Sequence, residues 1–234
     1  GVQTCALPIY TSVSGQITVT LTGSATKANY ETALKAVTFS STNSNPDTTT
    51  RTVTVKVNDG TSDSATATTS ITFSAVDNAP SVDLDANNSS TATGNNYLTS
   101  YTEGGAAAAI ADTDVAITDP DSANMVSATI VLTNAKTGDV LSVGTLPAGI
   151  SSSVDTSVSG QITVTLTGSA TKANYETALK AVTFSSTNSN PDTTTRTVTV
   201  KVNDGTSDSA TATTSIMFSA VDNAPSVDLD ANNS

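Results

Sequence analysis

The chain has 234 residues, enough for one large or two ordinary domains with a buried core, but only 4% of them are aromatic and none is Trp. With 21 acidic against 9 basic residues the formal net charge is −12, which argues against nucleic acid and anionic membranes as partners. The charge favours cations as partners, but acidity that merely keeps an extracellular protein soluble explains it equally well. His is absent and Cys occurs once, which excludes Cys/His zinc sites, Ser-His-Asp triads and disulfide frameworks.

The first nine residues, GVQTCALPI, differ in composition from the rest and include the single cysteine, Cys5. They resemble the in-frame translation of a common sequencing adapter, whose final base would turn a following Asp codon into a Tyr codon. Tyr10 stands where the second copy of the repeat described next has Asp155. We therefore expect residues 1–9 to be an adapter artefact; a genuine variable N-terminus would leave the change from Asp to Tyr unexplained.

A long internal repeat organises the remainder of the chain. Residues 11–89 recur at 156–234 with an offset of 145, and the two copies differ only where Thr72 becomes Met217. This predicts the back part of one unit at 10–79, a complete unit at 80–224 and the start of a third at 225–234. Because segment 10–79 would lack the front strands of its unit, we expect it to pack poorly or to form a partial sheet with exposed edges.

Alternating apolar and polar residues predict four strands in the complete unit, with threonine on the outward positions. The residues expected to face the core are Val126, Ala128, Ile130 and Leu132, then Ile162, Val164 and Leu166, then Val198, Val200 and Val202, and finally Ile216, Phe218 and Ala220. Thr72 and Met217 fall on the outward positions, so the one difference between the copies agrees with this register.

The segment SATKANYETALKAV interrupts the strand pattern with helical spacing. Tyr175, Leu179 and Val182 stand at i, i+4 and i+7, which predicts a short helix over residues 171–181 that covers one edge of the core. Turn formers such as NSNPD and NDGTSD separate the strands. Several short strands, regular turns and one small helix per repeat predict an all-β fold, a Greek-key β-sandwich in tandem.

Acidic residues gather at predicted turns and at the boundary between units. Calcium takes roughly six to eight oxygen ligands from carboxylates, amides and carbonyls, whereas magnesium needs a tighter octahedron and keeps more waters. Asp and Asn are also ordinary turn residues, which explains any one group equally well. Together the groups predict bound Ca²⁺. The candidate ligands are Asp77, Asn78, Asp83, Asp85, Glu103, Asp119, Asp121, Asn124, Asp204, Asp222 and Asn223.

The order of these motifs resembles that of a cadherin repeat. VKVNDGTSDSATATTSITFSAVDNAP is similar to the end of such a repeat, where a strand finishing at Asp-Gly leads to a last strand and an Asp-Asn-Ala-Pro linker. TEGG resembles the early glutamate of the family, and TDPDSAN its Asp-x-Asp with a downstream Asn. From residue 10 onward the chain is similar to the cadherin-like (immunoglobulin-like) tandem repeats of very large bacterial surface and secreted, RTX-type adhesins.

The resemblance implies a calcium cluster at the seam between consecutive units. In that arrangement Asp77 and Asn78 of the linker meet Asp119, Asp121, Asn124 and Asp204 of the following unit, while Glu103 joins Asp222 and Asn223 at the next seam. The Leu-Asp-Arg-Glu motif of cadherins is absent, so the resemblance leaves the number of ions per seam open. VDLDANN, with Asp83 and Asp85, is a candidate for a local site that cadherins lack.

These observations predict a non-enzymatic, extracellular stalk repeat of a bacterial surface or secreted protein, stiffened by calcium and supporting cell adhesion. Its expected partners are the neighbouring repeats of the same chain, with cell-surface or matrix ligands bound through other domains; neither nucleic-acid binding nor membrane insertion is expected. One alternative is a repeat that itself binds a glycan or a second copy. Another is an enzyme with paired carboxylates, such as a glycosidase, which near-identical repetition disfavours because stalks need repetition and active sites do not.

Overall fold

The computed structural model describes residues 9–13, 15–225 and 227. Residues 1–8 of the adapter-like segment, and residues 226 and 228–234 of the predicted third unit, lie outside the described residues. The chain divides into two compact units, Gly1–Pro46 and Asp47–Ser234, and each is described by itself.

The fold is mostly β-sheet, which confirms the all-β prediction. The described residues contain fifteen strands and two helices. The strands are β1 (Ile9–Val13), β2 (Gln16–Thr20), β3 (Arg51–Val55), β4 (Ala67–Ile71), β5 (Ser81–Asp83), β6 (Tyr97–Thr102), β7 (Ala108–Ala109), β8 (Ala116–Thr118), β9 (Asn124–Leu132), β10 (Asp139–Val143), β11 (Ser151–Asp155), β12 (Ile162–Thr171), β13 (Val182–Ser186), β14 (Arg196–Asn203) and β15 (Ala212–Ser219). The helices are α1 (Lys27–Lys35) and α2 (Lys172–Lys180), and neither is long and apolar enough to cross a membrane.

Two sheets of the larger unit share one apolar core. The six-stranded sheet has the order β11-β12-β9-β14-β15-β6, and its neighbours are antiparallel except for the parallel pair β15 and β6. The three-stranded sheet has the order β10-β13-β7, and β5 pairs with β8 separately. Tyr101, Phe184 and Phe218 contact one another edge to face, with ring centroids 5.1 to 6.2 Å apart, and so connect the two sheets.

The predicted alternation agrees with the observed burial. The inward residues of β12 and β14 are buried, as are Ala128, Ile130 and Leu132 of β9, whereas Val126 is only half-buried. Met217 is 50% exposed, as its outward position predicts. The prediction for Ala220 is wrong, because β15 ends at Ser219 and the following residue is exposed.

The predicted helix over residues 171–181 is confirmed as α2. The hydroxyl of Thr171 caps its first turn by accepting from the backbone N–H of Asn174. Tyr175 and Leu179 are fully buried, and the Tyr175 hydroxyl donates to the carbonyl of Gly168 at 2.7 Å. Burial raises the pKa of Tyr175 to about 12. Val182, the third apolar position of the helical pattern, begins strand β13 instead.

The first copy of the repeat has the open structure expected of partial sheets. No residue among those whose burial is described between 11 and 79 is buried. In the smaller unit β1 pairs with β2, and in the larger unit β3 pairs with β4; each forms a two-stranded sheet. Helix α1 has the same sequence as α2 but buries none of its residues.

Candidate metal centre

The linker before the complete unit lies against two of that unit's loops. The backbone N–H and the side-chain amide of Asn78 both donate to Oδ2 of Asp121, at 2.9 and 3.0 Å. Oδ2 of the preceding residue, Asp77, accepts from the hydroxyl of Ser207 at 2.6 Å. The structure therefore brings both predicted linker residues to the end of the unit at which strands β8 and β14 finish.

The side chain of Asp119, the first residue of the loop after β8 (residues 119–122), holds the turn of that loop. Oδ1 of Asp119 accepts from the backbone N–H groups of Asp121 and Ser122, at 3.0 and 2.8 Å. Its second oxygen, Oδ2, has no hydrogen-bond partner among the described residues, although Asp119 is only 8% exposed. Oδ1 of Asp121 is likewise buried without a partner.

The loop after β14, with the sequence NDGTSD, repeats this arrangement. Oδ1 of Asp204 accepts from the backbone N–H groups of Thr206 and Ser207, at 2.7 and 2.8 Å. Oδ2 of Asp204 is buried and has no hydrogen-bond partner in the part of the chain that the structure describes. Ser207, which donates to the linker, is held in the same turn. The loops after β8 and β14 together thus carry three unpartnered carboxylate oxygens, from Asp119, Asp121 and Asp204.

Each of these carboxylates has the chemistry of a cation ligand, although the three are not among the described acidic residues that meet in a group of three within 4.8 Å of one another. A buried carboxylate oxygen that accepts no hydrogen bond destabilises the folded state, because it has lost its hydrogen bonds to water without gaining a donor from the protein. The side-chain hydrogen bond from Asn78 lowers the pKa of Asp121 despite its burial, so this group is ionised at neutral pH. Among the described residues, none of the ion pairs includes Asp119, Asp121 or Asp204. Hard cations such as calcium accept such oxygens as ligands.

The predicted ligands at the other end of the unit also meet in part. Glu103 accepts from the backbone N–H of Val221 at 2.9 Å and from the amide of Asn223 at 3.0 Å. The hydrogen bond from Val221 lowers the pKa of Glu103 most, and the hydrogen bond from Asn223 lowers it further. The amide of Asn223 also donates to the carbonyl of Ser189 at 2.9 Å. Asp222, which lies between Val221 and Asn223 in the chain, is exposed, and so is Asn124, the first residue of β9.

A third acidic group lies within the unit and includes two residues missing from the predicted set. Asp85, Asp112 and Asp114 each place one carboxylate oxygen within 4.8 Å of the others. Oδ2 of Asp114 accepts from the backbone N–H of Asn87 at 2.8 Å, and its Oδ1 is buried with no hydrogen-bond partner within residues 15–225. Asp112 accepts from the Ser89 hydroxyl at 2.8 Å. We name these three carboxylates the inner cluster.

Asp85 is the buried member of the inner cluster. Burial alone would raise its pKa, but hydrogen bonds from the backbone and hydroxyl groups of Ser90 and Ser89 outweigh it and lower the pKa. Asp83, predicted beside Asp85, accepts instead from the Asp85 backbone N–H at 3.1 Å and lies outside the cluster. The ADTD sequence at 111–114 has the same Asp-x-Asp spacing as the motifs that were singled out, and this spacing was the available signal for Asp112 and Asp114.

Comparisons with protein-family models, with curated proteins and with solved structures give no match for this chain. The geometry of the site consists of carboxylates with buried oxygens that have no partner among the described residues. Asp121 contacts the linker residue Asn78, and Asp119 lies in the same loop. Asp204 lies in the loop of Ser207, which contacts Asp77. The chemistry of the site is suited to holding a divalent cation.

Proposed function

We propose that this chain is part of a calcium-stiffened stalk in a large extracellular bacterial adhesin of the cadherin-like kind. The observation that carries the proposal is the set of three buried, unpartnered carboxylate oxygens on Asp119, Asp121 and Asp204, in loops that contact the linker residues Asn78 and Asp77. In this proposal the seam ion holds successive repeats in a fixed orientation. The repeat itself performs no catalysis.

The proposed architecture of each unit is a Greek-key β-sandwich. Two sheets with a shared core, a central strand β9 between β12 and β14, and predominantly antiparallel pairing support it. Helix α2 lies where the Leu-Asp-Arg-Glu motif of cadherins would be expected. The complete unit spans residues 80–224 in this proposal, and neighbouring repeats of the same chain are its partners.

The repeat offset lets the two ends of the unit describe one seam. Asp77 and Asn78 correspond to Asp222 and Asn223 in the second copy. Glu103 lies in the unit that precedes the second linker, and it accepts a hydrogen bond from Asn223 of that linker. Asp121 lies in the unit that follows the first linker, and it accepts a hydrogen bond from Asn78. A linker between two complete units would therefore receive carboxylates from both sides. Among the described residues, the linker at Asp77 and Asn78 contacts the unit that follows it, and the linker at Asp222 and Asn223 contacts the unit that precedes it.

Calcium would change the mechanics of such a linker. Clustered carboxylates repel one another when bare, whereas a bound dication attracts all of them and cross-links the two units. Extracellular calcium modules bind with dissociation constants of roughly 0.1 to 1 mM, so calcium outside the cell would keep most seams occupied. A stiffened array would project other, ligand-binding domains toward cell-surface or matrix partners.

We extend the proposal to the inner cluster as a second calcium position. Three carboxylates within 4.8 Å of one another, one of them fully buried, bring together three negative charges. All three lie within one unit, in the segments just after β5 and between β7 and β8. An ion there would brace the unit rather than the seam. The two positions can be separated by mutation.

Thermal melting of the full chain in a chelator and in about 10 mM calcium tests the proposal. If the dissociation constant is about 0.1 mM, calcium at a hundredfold excess should stabilise the folded state by about 2.7 kcal/mol. Asp204→Asn should remove the part of this gain that belongs to the seam, and Asp114→Asn the part that belongs to the inner cluster. Asp59→Asn is the matched control, because Asp59 occupies the same NDGTSD loop in the first copy, where it is exposed.

The outcomes separate cleanly. Equal melting temperatures in chelator and in calcium would remove calcium from the proposed function. A calcium-dependent gain that Asp204→Asn leaves intact and Asp114→Asn abolishes would restrict the metal to the inner cluster, and the seam mechanism would be lost. Loss of the gain in Asp59→Asn would show that the effect is not specific to the seam.

A further inference from the structure

We propose that helix α2 positions the metal-binding loop at the seam, through Lys172 and Glu176. This inference rests on the proposed function, since it assigns the residues that hold the proposed ligands in place. Neither residue belongs to the turns that supply the proposed oxygen ligands. Both lie on the helix that fills the region of the missing Leu-Asp-Arg-Glu motif.

Lys172 ties together the two ends of the loop after β8. Its ammonium group, Nζ, donates to the backbone carbonyl of Asp119 at 2.9 Å and to that of Ser122 at 2.8 Å. The same loop presents the unpartnered oxygens of Asp119 and Asp121. One half-buried side chain therefore fixes the backbone from which two proposed ligands project.

Glu176 holds the strand that leads into the loop. Its Oε1 accepts from the backbone N–H of Ile117 at 2.9 Å, two residues before Asp119. Lys172 and Glu176 are four residues apart, so they lie on the same face of α2. The helix itself is fixed to the core through Tyr175 and Leu179, which are fully buried.

This arrangement organises the site before the ion arrives. Ligands held by such surrounding hydrogen bonds lose less freedom on binding, and removing a supporting group of this kind typically weakens metal affinity about 10- to 100-fold. Lys172 also carries a positive charge, which by itself repels a dication. Removing Lys172 therefore weakens calcium binding if its hydrogen bonds to the loop matter more, and strengthens calcium binding if its positive charge matters more. Our proposal requires positioning to dominate.

The chain contains its own control for this inference. Helix α1 has the sequence KANYETALK of α2, and its Lys27 and Glu31 correspond to Lys172 and Glu176. Lys27 and Glu31 are exposed, whereas their counterparts are half-buried. Substitutions in α1 therefore change the same chemistry in the same local sequence without touching the loop of residues 119–122.

Calorimetric calcium titration of the full chain tests the inference. The seam step is defined as the binding step that Asp119→Asn removes. Lys172→Met should weaken that step about tenfold, and Lys27→Met should leave it unchanged. Lys172→Arg, which keeps the charge and the donors, should recover most of the affinity. Glu176→Ala should also weaken the step, while Glu176→Gln, which retains an acceptor for Ile117, should preserve it.

Failure of the inference differs from failure of the proposed function. If the unmodified chain shows no step that Asp119→Asn removes, the proposed function is wrong at the seam. If that step exists and Lys172→Met binds calcium equally well or more tightly, only the inference is wrong. Should Lys172→Met unfold in chelator, the comparison of Glu176→Ala with Glu176→Gln decides, and equal affinities in those two variants overturn the inference.

Discussion

The two copies of the repeat carry nearly the same sequence in two different environments. Their local structures agree closely. Helices α1 and α2 are both nine residues long with the same threonine cap, and the NDGTSD loops show the same Asn-to-Asp hydrogen bond, Asn58 to Asp63 and Asn203 to Asp208. Both helices also have a tyrosine hydroxyl bonded to a glycine carbonyl, seven residues earlier. These contacts span few residues, so each copy can make them unaided.

The copies differ wherever structure depends on distant segments. Strand β2 has five residues, whereas its counterpart β12 has ten, and β3 has five against eight in β14. In the second copy β9 pairs with both β12 and β14 along most of their length. A strand that finds a partner extends, because its backbone groups gain hydrogen bonds and its apolar face gains cover. Local sequence thus sets the helix and the NDGTSD turn in both copies. Strand length depends on distant partners, and so does strand β13, whose sequence forms no strand at residues 37–41 of the first copy.

A buried ion pair provides the largest expected difference between the copies. Arg196 and Asp139 have fully buried side chains, with Nε 2.5 Å from Oδ2. Arg51, the counterpart of Arg196, lies 3.9 Å from Asp47 on the surface. Arg196→Met leaves a buried carboxylate unpaired, and such losses cost roughly 3–5 kcal/mol, so urea unfolding should show a decrease of that size. Arg51→Met removes an exposed pair and should cost less than about 1 kcal/mol.

A double variant sharpens this comparison. Replacing both partners, as in Arg196→Met with Asp139→Leu, removes the uncompensated charge and should recover much of the lost stability. If the double variant is as unstable as Arg196→Met alone, the cost comes from other contacts of Arg196. Those contacts include the carbonyl of Asp192 at 2.8 Å and the ring of Phe218, whose centroid lies 5.0 Å from the guanidinium carbon.

The helices give the next largest expected difference. Leu179 of α2 is fully buried, whereas Leu34 at the same place in α1 is half-buried. Leu179→Ala should lower the free energy of unfolding by roughly 2–5 kcal/mol, because it removes apolar contacts and leaves a cavity. Leu34→Ala should cost clearly less, with Ala as a good helix former limiting any local loss. Urea unfolding followed by circular dichroism measures both, and equal costs would contradict the difference in packing.

Sequence patterns predicted the features that depend on neighbours in the chain. The period-two alternation predicted the inward residues of β12 and β14, and the helical spacing of Tyr175 and Leu179 predicted α2, because each pattern is complete within about ten residues. Ala220 was misjudged because alternation alone does not show where a strand ends. The pairing of Arg196 with Asp139 was not predicted, since the two stand 57 positions apart and no local pattern connects them.

The candidate site shows the same division between local and distant information. Asp119 and Asp121 stood out through their Asp-x-Asp spacing, and the turn in which Asp119 holds the next two N–H groups is a local consequence of it. The contact of Asn78 with Asp121 was expected through the resemblance to cadherin repeats rather than from the residues. Lys172 carried no signal, because a lysine at a helix start looks like any solvated charge until the fold brings the loop of residues 119–122 beside it.

The smallest expected effect concerns the one position at which the copies differ. Met217 lies on the outward face of β15 and is 50% exposed, and Thr72, its counterpart in the first copy, is exposed as well. Met217→Thr makes the copies identical and should change the free energy of unfolding by less than about 0.5 kcal/mol, because exposed substitutions away from special features do little and threonine suits a strand. The reciprocal Thr72→Met should be equally silent. A loss above about 1 kcal/mol in Met217→Thr, measured by urea unfolding, would mean that this face of β15 is covered in solution, and the outward register assigned to it would have to be revised.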